Sequence, residues 1–97
     1  MWAETACEAL RAGKVLEVRY HSFLRSVEVH AVGVTKEGHP IMRCWQIGDG
    51  GEDAGEWKIM RLDEAAGAVI SDRPSLAPRE GYDPFDPAMT GGITCRI

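Results

Sequence analysis

Three arginines and two tryptophans are the residues of this chain best suited to holding an anion. Arg43 and Trp45 stand two apart in "PIMRCWQI", and Trp57 and Arg61 stand four apart in "EWKIMRLDE". Side chains alternate between the faces of a strand, so Ile41, Arg43 and Trp45 share one face of theirs, and Trp57, Ile59 and Arg61 share one face of the next. A guanidinium offers a planar fork that matches phosphate or carboxylate. An indole offers a stacking platform, worth about 1–3 kcal/mol per stacked base. If the two faces coincide they make one cationic–aromatic patch, which Arg25 can join from a neighbouring strand. Register decides this, and parity alone does not fix register. The competing reading pairs the arginines with Glu17, Glu28 or Asp63 across strands and half-buries the tryptophans against the C-terminal tail.

Other candidate chemistry is thinner. His21, His30 and His39 recur at nine-residue intervals, wider than a metal site usually needs, and read as surface or structural histidines. Asp49, Glu52, Asp53 and Glu56 lack the residue order of a calcium loop and read as a solvated hairpin loop. Ser22, Ser26, Ser71, Ser75 and the cysteines show no nucleophile elbow or base spacing. Asp63 is expected to cap the turn after its strand. No catalytic residue, metal or cofactor is expected, and the chain reads as a non-enzyme.

These residues need a frame, and 97 residues provide one domain with one modest core. Hydrophobic residues make up 44% and charged residues 27%, the balance of an ordinary globular chain. No apolar run reaches the roughly 20 residues of a membrane span. The opening "MWAETACEAL" has two acids and no basic segment, unlike a signal peptide, so a cytoplasmic setting is the default expectation. Net charge is −4, which disfavours general duplex binding through phosphate contacts. The charge is uneven: residues 11–46 hold six basic and three acidic side chains, net +3, inside an acidic molecule. Cys7, Cys44 and Cys95 are odd in number and widely spaced, and are expected to be buried reduced thiols.

The periodicity places the elements. Trp2, Ala6, Ala9 and Leu10 fall on one helical face, predicting a helix over 2–12 that stops at Gly13. Thr5 and Glu8 have capping-box spacing, which would start it later. "KVLEVRY" alternates as a strand, and "HSFL" reads as a turn. "RSVEVHAVGV" alternates again, with Val27, Val29 and Ala31 on one side, Glu28 and His30 on a polar side, and a bulge or bend at Gly33. "TKEGH" is a hairpin turn, "PIMRCWQI" a third strand, "GDGGEDAGE" an acidic glycine-rich loop and "WKIMRL" a fourth strand. "DEAAG" connects to a short fifth strand, "AVIS", and "ITCRI" can pair as a final edge strand. Four of the five prolines fall in 74–87, marking an irregular tail. Tyr82, Phe85 and Met89 make that tail too apolar for a solvated linker, so it is expected to pack on the barrel or on a partner subunit. The expected fold is mainly β: a small antiparallel barrel of about five strands, with a short N-terminal helix and a Pro-rich C-terminal tail. Residues 1–73 form the domain and 74–97 its extension.

The segments "ACEALRAGKVLEVRY", "RSVEVHAVGV", "GHPIMRCWQ" and "WKIMRLDE" together resemble the WYL domain family over roughly residues 6–72. Tyr20, Arg25 and the "MRLD" of Met60–Asp63 carry the likeness most strongly. The triplet that names the family would fall on Pro40, Ile41 and Met42, and the second arginine of the fourth-strand pattern falls on Glu64. The resemblance implies an Sm-like or SH3-like barrel of the kind that accompanies bacterial transcription regulators, here with no helix-turn-helix. It implies ligand sensing through basic residues on the sheet. The expected function is therefore a regulatory module that binds an anionic ligand, a nucleotide or single-stranded nucleic acid, through Arg25, Arg43, Trp45, Trp57 and Arg61. The alternative is a protein-interaction module, a homodimer or a partner-docking domain with no small ligand. No membrane partner is expected.

Overall fold

A computed structural model describes residues 2–48 and 54–97. The helix α1 (Trp2–Ala12) buries Ala6, Cys7 and Ala9, and ends where Gly13 takes φ +67°. It begins at Trp2, so Thr5 and Glu8 lie inside it and form no N-cap. The Trp2 indole N–H donates to the Ala65 carbonyl at 3.1 Å, which ties the first turn to the far end of the chain's middle segment.

Six strands follow: β1 (Lys14–Tyr20), β2 (Phe23–Val34), β3 (Pro40–Ile47), β4 (Gly55–Arg61), β5 (Ala65–Pro74) and β6 (Gly92–Arg96). They form one antiparallel sheet in the order β4-β3-β2-β1-β5, with β6 also paired to β2. The strand β2 organises the sheet. One of its edges carries β3, and the other carries β1 beside its first half and β6 beside its last residues. The fold class is the expected one: mainly β, antiparallel, with one short N-terminal helix.

Three local departures have physical causes. The β1–β2 turn is only His21-Ser22, with φ +50° and +71°, the left-handed pair that matches strand twist in a two-residue hairpin. Phe23 and Leu24 therefore belong to β2 and not to the turn. The expected alternation of β2 also breaks. Val29 pairs with Cys44 but Ala31 with Arg43, so a bulge at His30 flips the pattern. Val27, Val29 and Val32 point into the main core, while Ala31 joins Ile41 and Met89 on the other side. The strand β5 runs from Ala65 to Pro74, longer than "AVIS", because its pairing with β1 extends from Tyr20↔Ala65 to Lys14↔Pro74. A single short 3-10 turn, Leu62–Glu64, links β4 to β5.

The main core gathers Leu16, Val18, Val27, Val29, Val32, Met42, Cys44, Met60 and Leu62 beneath α1. Gly33 lies on the opposite side, where a Cβ would sit 2.6 Å from the Gly92 carbonyl oxygen and 2.7 Å from Met89 Sδ. Close approach of the tail therefore requires glycine there. The cysteine expectation is corrected for two of the three: Cys7 on α1 and Cys95 on β6 form a disulfide with Cα atoms 6.0 Å apart. Cys44 is buried and free, and burial pushes its thiol up to about 12. The acidic loop expected over 48–56 has residues 49–53 outside the described residues.

The tail packs on its own sheet as a strap over residues 75–89. Ser75 N–H donates to the Gly13 carbonyl at 2.8 Å, and Gly91 N–H to the Val34 carbonyl at 2.9 Å. Between those ends it crosses the outer face of β2, β3 and β4. The expected polar face of β2 is consequently buried: Glu28 is 1% exposed and His30 is not exposed at all.

Candidate anion-binding surfaces

Register settles whether the two tryptophan-bearing faces coincide. Trp45 pairs with Trp57, Arg43 with Ile59 and Ile41 with Arg61, so all six side chains share one face of the sheet. Trp45 and Trp57 meet edge to face, with centroids 5.4 Å apart at 87°. The patch exists, but the chain itself engages it. Arg43 donates from Nε and NH2 to the two carboxylate oxygens of Asp86, at 2.6 and 3.2 Å. That bond holds Asp86 below the usual carboxylate range and Arg43 above its ordinary value. Arg61 donates to Asp63 in the same two-pronged way, at 2.9 and 2.5 Å. Asp63 is therefore a salt-bridge acceptor, and the 3-10 turn has Arg61 at its N-cap position with no side-chain cap. The hydrogen bond from Arg61 also holds Asp63 below the usual carboxylate range.

Above the tryptophans lies Arg79, a residue that strand periodicity does not single out. Its guanidinium sits 5.4 Å from the Trp45 ring centroid. It donates from Nε to Glu28 Oε1 at 2.7 Å and from NH2 to Oε2 at 3.3 Å. Leu76 N–H donates to the same carboxylate at 2.6 Å. Next to it, His30 Nδ1 bonds the Glu28 carbonyl at 2.9 Å and Nε2 bonds the Arg79 N–H at 2.9 Å. The carbonyl accepts and the amide donates, so the ring is the neutral tautomer protonated at Nδ1. Its proton affinity is lowered, chiefly by burial. Trp57 and Tyr82 pack on the ring at centroid distances of 4.7 and 5.3 Å. The one sequence signal for this network was a glutamate in the middle of a valine-rich strand, because a buried carboxylate requires a cation or several donors.

Arg25 does not join the patch. It lies opposite Val18 and has the parity of Val27, whose partner is Gln46, whereas the patch has the parity of Glu28, opposite Trp45. Arg25 thus belongs to the core-side face, at the open end of β2. There it donates to Gln46 Oε1 at 3.3 Å and lies over the Tyr20 and Phe23 rings at 5.4 and 5.9 Å. Its Nε is buried with no hydrogen-bond partner. Beside it opens a groove of about 550 Å³, lined by Phe23, Leu24, Arg25, Gln46 and Arg73 among others. Among the described residues no acid lines it. Phe23 is 67% and Leu24 61% exposed.

Of the three expected arginines, the structure therefore brings Arg43 and Arg61 to the tryptophan face with a carboxylate on each, and sets Arg25 apart in an open basic groove. Arg25 is the one groove residue that the sequence singles out; Arg73 and Phe23 are among those it does not. Arg73 follows "AVIS" by two residues, and Phe23 falls in "HSFL", which the sequence presents as a turn. Among the described residues no three His, Cys, Asp or Glu side chains converge as a metal site. No helix among them is long and apolar enough to cross a membrane. No family model, curated protein or solved structure matches the chain.

Proposed function

We propose that this chain is a non-enzymatic, regulatory binding module that takes an anionic, ring-bearing ligand, a nucleotide or short single-stranded nucleic acid, in the Arg25–Arg73 groove. The observation that carries this reading is the contrast among the arginines. Arg43 and Arg61 each hold a carboxylate of their own chain. Arg25 faces an open groove with no carboxylate on it among the described residues and an exposed phenyl ring beside it. A phosphate oxygen would accept from the terminal nitrogens of the Arg25 guanidinium, whose partner Gln46 is uncharged, and Phe23 would offer its face to a base. The resemblance to WYL domains supports the same reading, since Arg25 is among its strongest pieces. The tryptophan face moves from ligand site to strap seat.

The test is titration of the whole protein with labelled mononucleotides and short single-stranded DNA and RNA at low and moderate salt. Saturable binding that weakens with salt and is lost in Arg25→Ala is the expected result. Absence of binding for all of them overturns it. The protein-interaction reading, as a homodimer or a docking domain, gains from two further exposed side chains, Val69 at 66% and Phe85 at 75%. A concentration-dependent mass in solution, insensitive to salt, would favour it.

The cytoplasmic setting belongs to this proposal, with one observation against it: disulfides such as Cys7–Cys95 persist mainly in oxidising compartments. Counting thiols after unfolding, without reductant, the chain isolated from a reducing cytoplasm decides, since Cys44 is buried in the folded chain. Only Cys44 reacting keeps the cytoplasmic reading, and all three cysteines reacting removes it.

A further inference from the structure

The strap is seated at its end by Met89, with Tyr82 and Ala88, against Ala31 and Ile41, and is fastened along its middle by polar groups. Leu76 and Phe85, two of its apolar side chains, are 43% and 75% exposed. Its central attachments are the Arg79 N–H on His30 Nε2, the Arg79 guanidinium and Leu76 N–H on Glu28, and Asp86 on Arg43. One of these depends on a lone pair that a proton can take. Nδ1 already carries its hydrogen toward the Glu28 carbonyl, so a second proton can only go to Nε2. There it would face the Arg79 N–H, donor against donor, in a site closed to water.

We propose that residues 75–89 are a proton-operated latch over the tryptophan face: protonation of His30 at Nε2 breaks its bond with the Arg79 N–H and loosens the strap, exposing more of Arg43, Trp45 and Trp57. The groups around the ring set its response. Glu28, on the same strand, favours the charged form; Arg79, from the strap, opposes it; Trp57 from β4 and Tyr82 from the strap supply apolar ring faces. Burial is the largest influence and keeps the ring neutral while the strap is closed. A released ring gains water and regains ordinary basicity, so protonation and opening favour one another. The same step exposes more of Trp45, giving an aromatic face with an added imidazolium. The latch is independent of the ligand reading of the Arg25 groove.

Hydrogen exchange of the full-length, disulfide-intact protein tests it at about pH 7.5 and about pH 5, either side of the ordinary imidazole value. After correction for intrinsic exchange, the Leu76 and Arg79 amides should lose protection by roughly tenfold or more at the lower pH, while β1–β3 amides keep theirs. In His30→Gln, whose side chain does not titrate, that pH dependence should vanish. Should this variant fold poorly, the His30 ring resonance of the wild type is followed by NMR, and its titration should coincide with the shift of the Arg79 amide. Protection that is independent of pH, or that is lost from strap and sheet together, overturns the proposal. So does a titration of His30 that leaves the Arg79 amide unmoved.

Discussion

At the residue scale, Arg25 and Arg43 show why a guanidinium's worth depends on what already holds it. Arg43 has a buried carboxylate on both prongs, so an incoming phosphate must displace Asp86 before it gains anything. Arg25 has Gln46 and two aromatic rings, and an incoming oxyanion would add a charge-assisted bond at no such cost. Arg25→Ala and Arg73→Ala should therefore each weaken nucleotide binding by about tenfold or more, since a hydrogen bond to a charged group contributes about 1.5–3 kcal/mol. Arg61→Ala should leave both affinity and melting temperature unchanged, because its pair with Asp63 lies in solvent. Fluorescence titration of the three variants beside wild type checks this, and a loss confined to Arg61→Ala would return the site to the tryptophan face. Glu28→Gln belongs to the same scale and has a different outcome. It removes a buried carboxylate that accepts from Leu76 and Arg79, and should cost about 3–5 kcal/mol in urea unfolding. An effect near zero would mean that the network adds little to stability.

Among elements, β2 shows how far a sequence reaches. The inward parity of Val27 and Val29 follows from alternation, and so do β1 and β3, whose bounds agree with the expected ones, while the start of β2 at Phe23 and its switch of faces after His30 do not. What alternation could not give is the covering of Glu28 and His30. Those residues are polar and local rules place them in water, yet their partner Arg79 lies 51 residues from Glu28 in a proline-rich stretch with no period. The bulge at His30 is equally silent, since one extra residue leaves the composition unchanged and shifts only the register. The place of Arg25 is legible: alternation within "RSVEVHAVGV" puts it on the face of Val27 and Val29, away from the patch. The strap also carries a pH signature. His30 has a lowered proton affinity in the folded chain, so its contribution is present above the ordinary value of 6.5 and is lost as pH falls. Asp86, held low by Arg43, contributes above its ordinary 3.8 and loses that contribution at still lower pH. Urea midpoints should therefore fall in two stages on acidification, the first absent in His30→Gln and the second in Asp86→Asn. A flat profile down to about pH 5 would contradict the neutral assignment of His30.

For the whole molecule, the decisive constraint is the bond between its ends. Cys7 sits on the first helix and Cys95 on the last strand, 88 residues apart, so the disulfide closes almost the entire chain into a ring. A domain of this size buries a modest core, and its net stability is a small difference between large terms. Closing so long a loop restricts the unfolded chain by roughly 4–5 kcal/mol in the chain-entropy account. The folded side adds local consequences. Among the described strands β6 is paired with β2, and Ile97 just after it donates its N–H to the His30 carbonyl at 3.0 Å. With the bond cut, β6 and the strap before it become the segment easiest to lift from β2. Reduction, or the double change Cys7→Ser and Cys95→Ser, should therefore lower the melting temperature by about 10 °C or more, given several degrees per kcal/mol for a domain of this length. It should also raise amide exchange first in residues 92–97 and 75–89, and only later in β1–β3. Calorimetry with and without reductant measures the first effect and hydrogen exchange the second. An unchanged melting temperature after complete reduction would mean that strand pairing alone holds the ends together, and that the ring is dispensable to the fold.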